Sequence, residues 1–188
     1  METTTRTEHL GDAIVTLRGL FSAAECDAHI AYAEGLGFGE APITTGRGFA
    51  VMPEVRNNTR AMVDDPARAA DLWQRIRPYT RPRPPLRQAG LNERLRFYRY
   101  EPGQYFRWHC DGAFWRRPGE RSHVTAMVYL NDGFVGGATE LDVNGDVLRI
   151  VPERGLVLLF DHHLRHQGAP VRSGRKYVLR TDVMFAEG

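Results

Sequence analysis

From Asn92 to the C-terminus, apolar and polar residues alternate with period two in one short run after another. That pattern restricts the fold more than any other feature of the chain. Residues 95–100, 105–111, 123–130, 139–143, 147–151, 155–160 and 176–185 each read as a half-buried strand. Asn144-Gly145, between two apolar runs, is the signature of a two-residue hairpin turn. The first half of the chain is different. Residues 13–18 alternate like a strand. Ser22-Ala23-Ala24-Glu25 is a capping box that opens a helix to about Ala33, and Gly35, Gly37 and Gly39 end it. Residues 41–60 read as loop. Asp65-Pro66 supplies an N-cap and an N1 proline for a second helix running to about Tyr79, and a stiff proline-rich run follows at 81–85. Helices first and then seven or eight short strands imply a mostly β, two-sheet jelly roll, a cupin-like double-stranded β-helix with the helices packed on one sheet. At 188 residues the chain suits one domain. Residues 1–91 then form an α/β support with substrate-side loops, and residues 92–188 the jelly-roll core.

Composition narrows the function. No apolar run approaches the roughly 20 residues of a membrane span, and Met1–Leu10 lacks the pattern of a signal peptide. Two cysteines, Cys26 and Cys110, make neither a disulfide framework nor a cysteine-based zinc site, so a reducing cytoplasmic setting is expected. A net charge of +2 gives no ground for nucleic-acid binding. Oligomeric state is not readable. The chain carries 24 arginines and a single lysine, Lys176.

The sharpest motif is His109-Cys110-Asp111. On a strand His109 and Asp111 face the same way and Cys110 the other, which suggests a small core residue for Cys110. An imidazole and a carboxylate on one face make two thirds of a facial triad, the arrangement that leaves three positions open on Fe(II). The third ligand must come from far along the chain. His162, His163 and His166 all follow an apolar strand and are candidates; His9, His29 and His123 are weaker ones.

The stretch 95–111, LRFYRYEPGQYFRWHCD, resembles the core of the prolyl 4-hydroxylase-like Fe(II)/2-oxoglutarate dioxygenases. The segments VTAMVYLN at 124–131, GGATE at 136–140, HQGAPV at 166–171 and GRKY at 174–177 agree with it in order and spacing. The resemblance covers about residues 94–186. It implies that His166, which precedes Gly-x-Pro-Val, is the distal metal ligand, with His162 and His163 structural or surface residues. It also implies that Lys176, ten residues later, holds the far carboxylate of 2-oxoglutarate. Tyr100 and Tyr129 are then expected to contact the co-substrate, with Thr125 and Tyr98 weaker candidates nearby. Arg180 shares a strand face with Lys176 and is expected to share the carboxylate, to hold a substrate group, or to pair with a nearby acid. The cofactors implied are Fe(II), 2-oxoglutarate and O2, with ascorbate as a reductant. The presence of Asp111 favours hydroxylation over halogenation.

Two segments are candidate substrate walls. One is the loop after Asp111, with Phe114, Trp115, Arg116, Arg117 and Arg121. The other lies within 41–60, with Arg47, Met52, Arg56, Asn57 and Asn58. Clustered arginines attract anions, which points to a small anionic substrate. Three readings follow: an oxygenase acting on a small molecule, the same chemistry on a peptidyl proline or another protein side chain, and a metal-binding jelly roll without oxygenase activity.

Overall fold

A computed structural model describes residues 5–46 and 48–188. Most of the chain is β, with two α-helices on one side. The larger sheet has ten strands. Arg6–His9, Ile14–Arg18, Val157–Asp161, Glu120–Tyr129, Lys176–Ala186, Arg94–Tyr100, Thr59–Asp64 and Gly39–Glu40 follow one another in space, with Trp115–Arg117 and Arg87–Leu91 attached at its side. The smaller sheet runs Asp146–Ile150, Thr139–Val143, His166–Gly168, Phe106–His109. Apart from hairpins such as 139–150, most strands that pair in these sheets come from distant parts of the sequence, which is the crossover pattern of a jelly roll.

Two cores explain why the strands alternate. Odd-numbered residues such as Leu95, Phe97, Leu179 and Val183 face outward with Leu17 and Leu159, and the helices cover them. Helix α1, Ala23–Leu36, starts at the capping box: the Ser22 hydroxyl accepts from the Glu25 amide, and the Glu25 carboxylate accepts from the Ser22 amide. Helix α2, Pro66–Ile76, is capped by Asp65 and buries Ala69, Leu72 and Ile76, spaced to fall on one helix face. Even-numbered residues such as Tyr98, Tyr100 and Val178 face inward with Tyr129, Phe160 and Leu141, filling the space between the two sheets.

The sequence reading differs from the structure in a few elements. Thr59–Asp64, Arg6–His9 and Arg87–Leu91 are strands that periodicity did not reveal, and Ile43–Thr45 pairs with Gly48–Ala50 where loop was expected. Asn144 and Gly145 turn with φ of 57° and 92°, the left-handed pair that the hairpin turn requires. Cys110 is exposed, not a core residue, and its thiol meets the His163 carbonyl at 3.4 Å. The strand ends at His109, so Cys110 and Asp111 lie just beyond the ladder and the alternation argument no longer governs where Cys110 points.

Candidate metal centre and its cavity

His109 and His166 are direct cross-strand partners in the smaller sheet. Asp111 follows two residues later, fixed by its amide donating to the His162 carbonyl at 3.1 Å. Donor atoms of His109, Asp111 and His166 all lie within 4.8 Å of one another. Each imidazole is oriented from behind: His109 Nδ1 lies 2.7 Å from the Arg107 carbonyl, and His166 Nδ1 lies 3.0 Å from that of Leu164. A carbonyl only accepts, so Nδ1 carries the proton and Nε2 presents a lone pair. Both Nε2 atoms sit 3.7 Å from an Asp111 oxygen. Phe106 stacks on His109 at 3.6 Å, and Phe160 meets His166 edge-on at 4.6 Å.

The protonation states suit a dication. Burial, followed by the neighbouring His166, pushes His109 down to about 3, and burial also lowers His166. Burial works to raise Asp111, but Arg180 and the two histidines together outweigh it and hold the carboxyl well below the usual range. Two neutral imidazoles and one carboxylate are the forms that bind metal without first losing a proton.

Both oxygens of Asp111 are held. Thr125 donates to Oδ2 at 2.5 Å, and Arg180 approaches Oδ1 at 3.0 Å. Thr125 has one proton and gives it to Asp111, so His162 Nδ1, 3.0 Å away, must donate to the Thr125 oxygen. His162 Nε2 then accepts from Ser122, 2.8 Å away, whose oxygen accepts from the Phe114 amide at 2.8 Å. A single directed chain thus runs from the Phe114 amide to the metal-facing carboxylate. His162 is buried, and burial pushes it down to about 4, in keeping with its neutral role. Sequence reasoning assigned His162 a structural role but missed Ser122. Ser122 and Thr125 are three residues apart, which on a regular strand would face them oppositely; a bulge between Ser122 and Val124 brings both hydroxyls to His162 and hides their shared side in the sequence.

A small, partly open cavity lies beside this cluster. Its walls include Tyr98, Tyr100, Phe106, Met127, Thr139 and Gly168, and Lys176 and Arg180 reach into it. Lys176 is 1% exposed. Its ammonium donates to the Gly137 carbonyl at 2.6 Å and lies 5.0 Å from the Tyr100 ring centre and 5.5 Å from that of Tyr129. No carboxylate pairs with it among the described residues, and burial pushes it down to about 7. Gly137, at φ 65°, makes room: a Cβ there would lie 3.2 Å from Lys176 Cδ and 3.0 Å from a Val171 methyl.

The remaining candidates fall into place around this frame. Tyr100 lines the cavity, its phenol pushed up to about 12 by burial. Tyr129 lies behind Lys176, and its hydroxyl donates to Thr139 at 2.7 Å. Thr125 is turned to Asp111 and does not line the cavity. Arg180 is committed to Asp111 and to Asp182 at 3.1 Å, so of its three expected roles the pairing with an acid is the one in place. Arg56 is 6% exposed, its guanidinium 4.5 Å above both the Tyr98 and Phe106 rings, and it donates to Asn58 at 2.8 Å. Asn58 in turn donates to the Thr59 carbonyl at 2.9 Å, and Asn57 accepts from the Tyr105 amide at 2.8 Å. Arg56 meets the cavity only through the Tyr98 and Phe106 rings, and neither it nor Met52, Asn57 or Asn58 is part of the cavity wall. Arg47 lies outside the described residues.

The loop after Asp111 does not supply a cationic rim. Arg116 pairs with Glu93 at 3.0 Å and with the buried Glu120, and donates to the Leu91 carbonyl at 2.6 Å. Arg117 reaches Glu120 at 2.7 Å. Arg121 donates to His123 at 3.2 Å and covers Trp115, which is 58% exposed. Phe114, Trp115, Arg116, Arg117 and Arg121 are all absent from the cavity wall. The charge that made this loop attractive in sequence is neutralised by a buried glutamate three and four residues away.

Comparison with known proteins agrees with this geometry. Residues 95–181 match the 2OG-Fe(II) oxygenase superfamily. No curated protein sequence matched. Among solved structures, the viral collagen prolyl hydroxylase of Paramecium Bursaria Chlorella virus-1, in its 2OG complex, aligns with a TM-score of 0.64 at 21% identity, covering 94% of this chain and 97% of that one. A Pseudomonas putida prolyl-4-hydroxylase aligns at 0.70 and 19%, covering 92% and 93%. A Trichoplax adhaerens prolyl hydroxylase, solved with a hypoxia inducible factor peptide fragment, aligns at 0.71 and 17%, covering 92% and 84%. At these identities the structural likeness speaks for the jelly-roll fold, while the family match sets aside the reading of a jelly roll without oxygenase activity. No described helix is long and apolar enough to cross a membrane. Residues 95–181 thus carry the match to the 2OG-Fe(II) oxygenase superfamily together with the His-Asp-His cluster, the ligand set of an Fe(II)- and 2-oxoglutarate-dependent oxygenase.

Proposed function

We propose that the chain hydroxylates an unactivated C–H bond of a small molecule, with His109, Asp111 and His166 as the Fe(II) ligands and Lys176 as the anchor for the far carboxylate of 2-oxoglutarate. The observation that carries this reading is Lys176 itself: a fully buried ammonium in the wall of the metal cavity with a carbonyl but, among the described residues, no carboxylate for company. Such a group is costly to keep unless an anion joins it. Tyr100 and Thr139 line the same pocket and are the neighbouring hydroxyls available to that anion.

Iron and 2-oxoglutarate together supply the oxidising chemistry, releasing succinate and CO2 as one oxygen atom enters the substrate. The protein's residues do the rest. The imidazoles offer Nε2 because their Nδ1 protons are spoken for. Thr125 and Arg180 keep Asp111 ionised and in place. Phe106, Met127 and Phe160 wall the cluster with apolar surface, which limits water around it. Titration of Lys176→Met with 2-oxoglutarate tests the reading. We expect binding at least tens-fold weaker, since truncating one member of a desolvated charge pair typically costs about 2–5 kcal/mol. Unchanged affinity would overturn the assignment of Lys176.

The alternative substrate is a peptidyl proline, supported by the names of the structurally similar proteins, two of them called prolyl hydroxylases and one a prolyl-4-hydroxylase. Substrate-stimulated succinate formation, measured across a panel of small acids and a panel of proline-containing peptides, separates the two.

A further inference from the structure

We infer that Arg56 and Arg60 form a second oxyanion site beside the metal cavity, one that takes a carboxylate or phosphate group of the substrate while the bond to be oxidised lies toward His109. This deepens the proposed function and rests on its small-molecule reading.

Most arginines of the larger sheet and its helices have a carboxylate partner; Arg18, Arg75, Arg94, Arg96, Arg99 and Arg180 are examples. Arg56 and Arg60 have none among the described residues, although Arg56 is buried and Arg60 half-buried. Arg56 is 6% exposed, and its Nη2 has no hydrogen-bond partner among the described residues. Its one side-chain acceptor is the Asn58 carbonyl oxygen, which is neutral. Its guanidinium is sandwiched at 4.5 Å from the rings of Tyr98 and Phe106, both of which line the cavity. Phe106 in turn stacks on the metal-facing His109.

Arg60 reaches the same place from the next strand. It is the cross-strand partner of Tyr98, so both side chains rise from the inner face of the larger sheet. Burial lowers Arg60, and the charged groups that act on it include Arg56, Arg96 and Arg180. The carboxylates within reach of this cluster, Asp111 and Asp182, are already engaged by Arg180 and Arg96, and Asp111 faces the metal as well. Tyr98 records the resulting field: burial alone would raise its phenol, yet Arg180, Arg56 and Arg96 bring it down to about 8.

Packing unpaired like charges together around a buried tyrosine is unfavourable unless an anion completes the group. The co-substrate does not fill this need, because its anchor is Lys176. Lys176 pairs across the ladder with Tyr100, two residues along the strand from the tyrosine that faces Arg60. Met62, on the same face as Arg60, is 47% exposed, so this part of the face meets solvent. Guanidinium groups offer paired donors to carboxylate and phosphate oxygens, so an oxyanion is the ligand class that fits.

The test uses enzyme loaded with Mn(II) and saturating 2-oxoglutarate, which reports binding without turnover. Thermal stabilisation is titrated with three sets of small molecules: carboxylic acids, including free and N-acylated amino acids; their neutral carboxamides; and monophosphate esters. We expect acids or phosphate esters to stabilise the enzyme and the carboxamides to fail, the two charged sets telling which oxyanion is taken. In Arg60→Gln the affinity for the stabilising set should fall about tenfold or more, with Arg60→Lys intermediate, while 2-oxoglutarate affinity stays at the wild-type value. Arg56→Lys gives a second test at the buried position. Carboxamides binding as well as acids, no charged compound binding, or Arg60→Gln retaining full affinity would each overturn the proposal, as would an equal loss of 2-oxoglutarate affinity. Failure of the underlying oxygenase reading shows separately, as absence of succinate formation by the iron-loaded enzyme.

Discussion

Replacing Arg180 by methionine should destabilise the metal-free protein far more than the metal-loaded one. Asp111 is a buried carboxylate whose one ion-pair partner other than histidine among the described residues is Arg180, at 3.0 Å. At an effective dielectric of 20, that separation corresponds to an attraction of about 5 kcal/mol. Removing one partner of such a buried pair leaves an uncompensated charge and typically costs about 3–5 kcal/mol. Asp182 loses Arg180 as well, but keeps Arg96 at 3.0 Å and the Asn92 amide at 3.1 Å, so the exposed deficit falls mainly on Asp111. A divalent ion bound by His109, Asp111 and His166 supplies the missing positive charge, and it no longer faces the guanidinium's repulsion. We expect a loss of about 3–5 kcal/mol without metal and about 2 kcal/mol less with it, which by linkage makes metal binding roughly thirtyfold tighter in the variant. Urea unfolding of wild type and Arg180→Met, each with chelator and with Mn(II), measures both quantities. Weaker metal binding in the variant would refute the reasoning. Arg180 would then matter as a brace that aims Asp111, not as a charge that competes with the ion.

Three further outcomes are expected. Lys176 sits near 7 in the free protein, because burial disfavours its charged form, whereas binding an anion requires that form. The 2-oxoglutarate affinity should therefore weaken as pH rises above about 7, with proton uptake on binding, and calorimetry in buffers of different ionisation enthalpy reads this; Lys176→Arg should abolish the dependence. Gly137→Ala should weaken 2-oxoglutarate binding and cost about 1–2 kcal/mol of stability in urea melts, since its φ of 65° disfavours a side chain and the new methyl would press on Lys176. Glu25 is held at about 2, first by the Ser22 amide and then by Arg75 and the Ser22 hydroxyl. Its folded value lies below the ordinary 4.5, so its contribution is full above that pH and is lost as pH falls toward 2; Glu25→Gln should lower stability at pH 7 and flatten that part of the acid-unfolding curve.

The parts of this site that the sequence made legible are those set by local periodicity and short motifs. His109 with Asp111, the 139–150 hairpin and the 176–186 strand depend on alternation and turn chemistry within a few residues. His166 was separable from His162 and His163 only through family resemblance, because the choice among them depends on which one pairs across the ladder with His109. Thr59–Asp64 escaped notice for a physical reason. Ala61 and Val63 pack outward beneath the helices, while Met62 stands on the opposite face, so apolar residues lie on both sides and the alternation is blurred. Missing that strand also meant missing Arg60. Arg116 and Arg117 misled in the opposite direction: their positive charge is evident in sequence, but their pairing with Glu120 depends on the tight return of the chain at Trp115–Arg121.

The chain of hydrogen bonds behind Asp111 has a polarity, and polarity makes it brittle. Each hydroxyl along it spends its only proton toward the metal side and receives one from the loop side, so no link can turn round without leaving two donors or two acceptors facing each other. The first donor is not a side chain but the amide of Phe114, on the segment that leaves the metal site. If that segment swings outward, Ser122 loses the donor that fixes its orientation, His162 loses the reason to hold its proton on Nδ1, and Thr125 is free to rotate off the carboxylate. The position of a surface loop is thereby written into the direction of a proton three residues deep, and loop movement and metal-ligand order become one event instead of two.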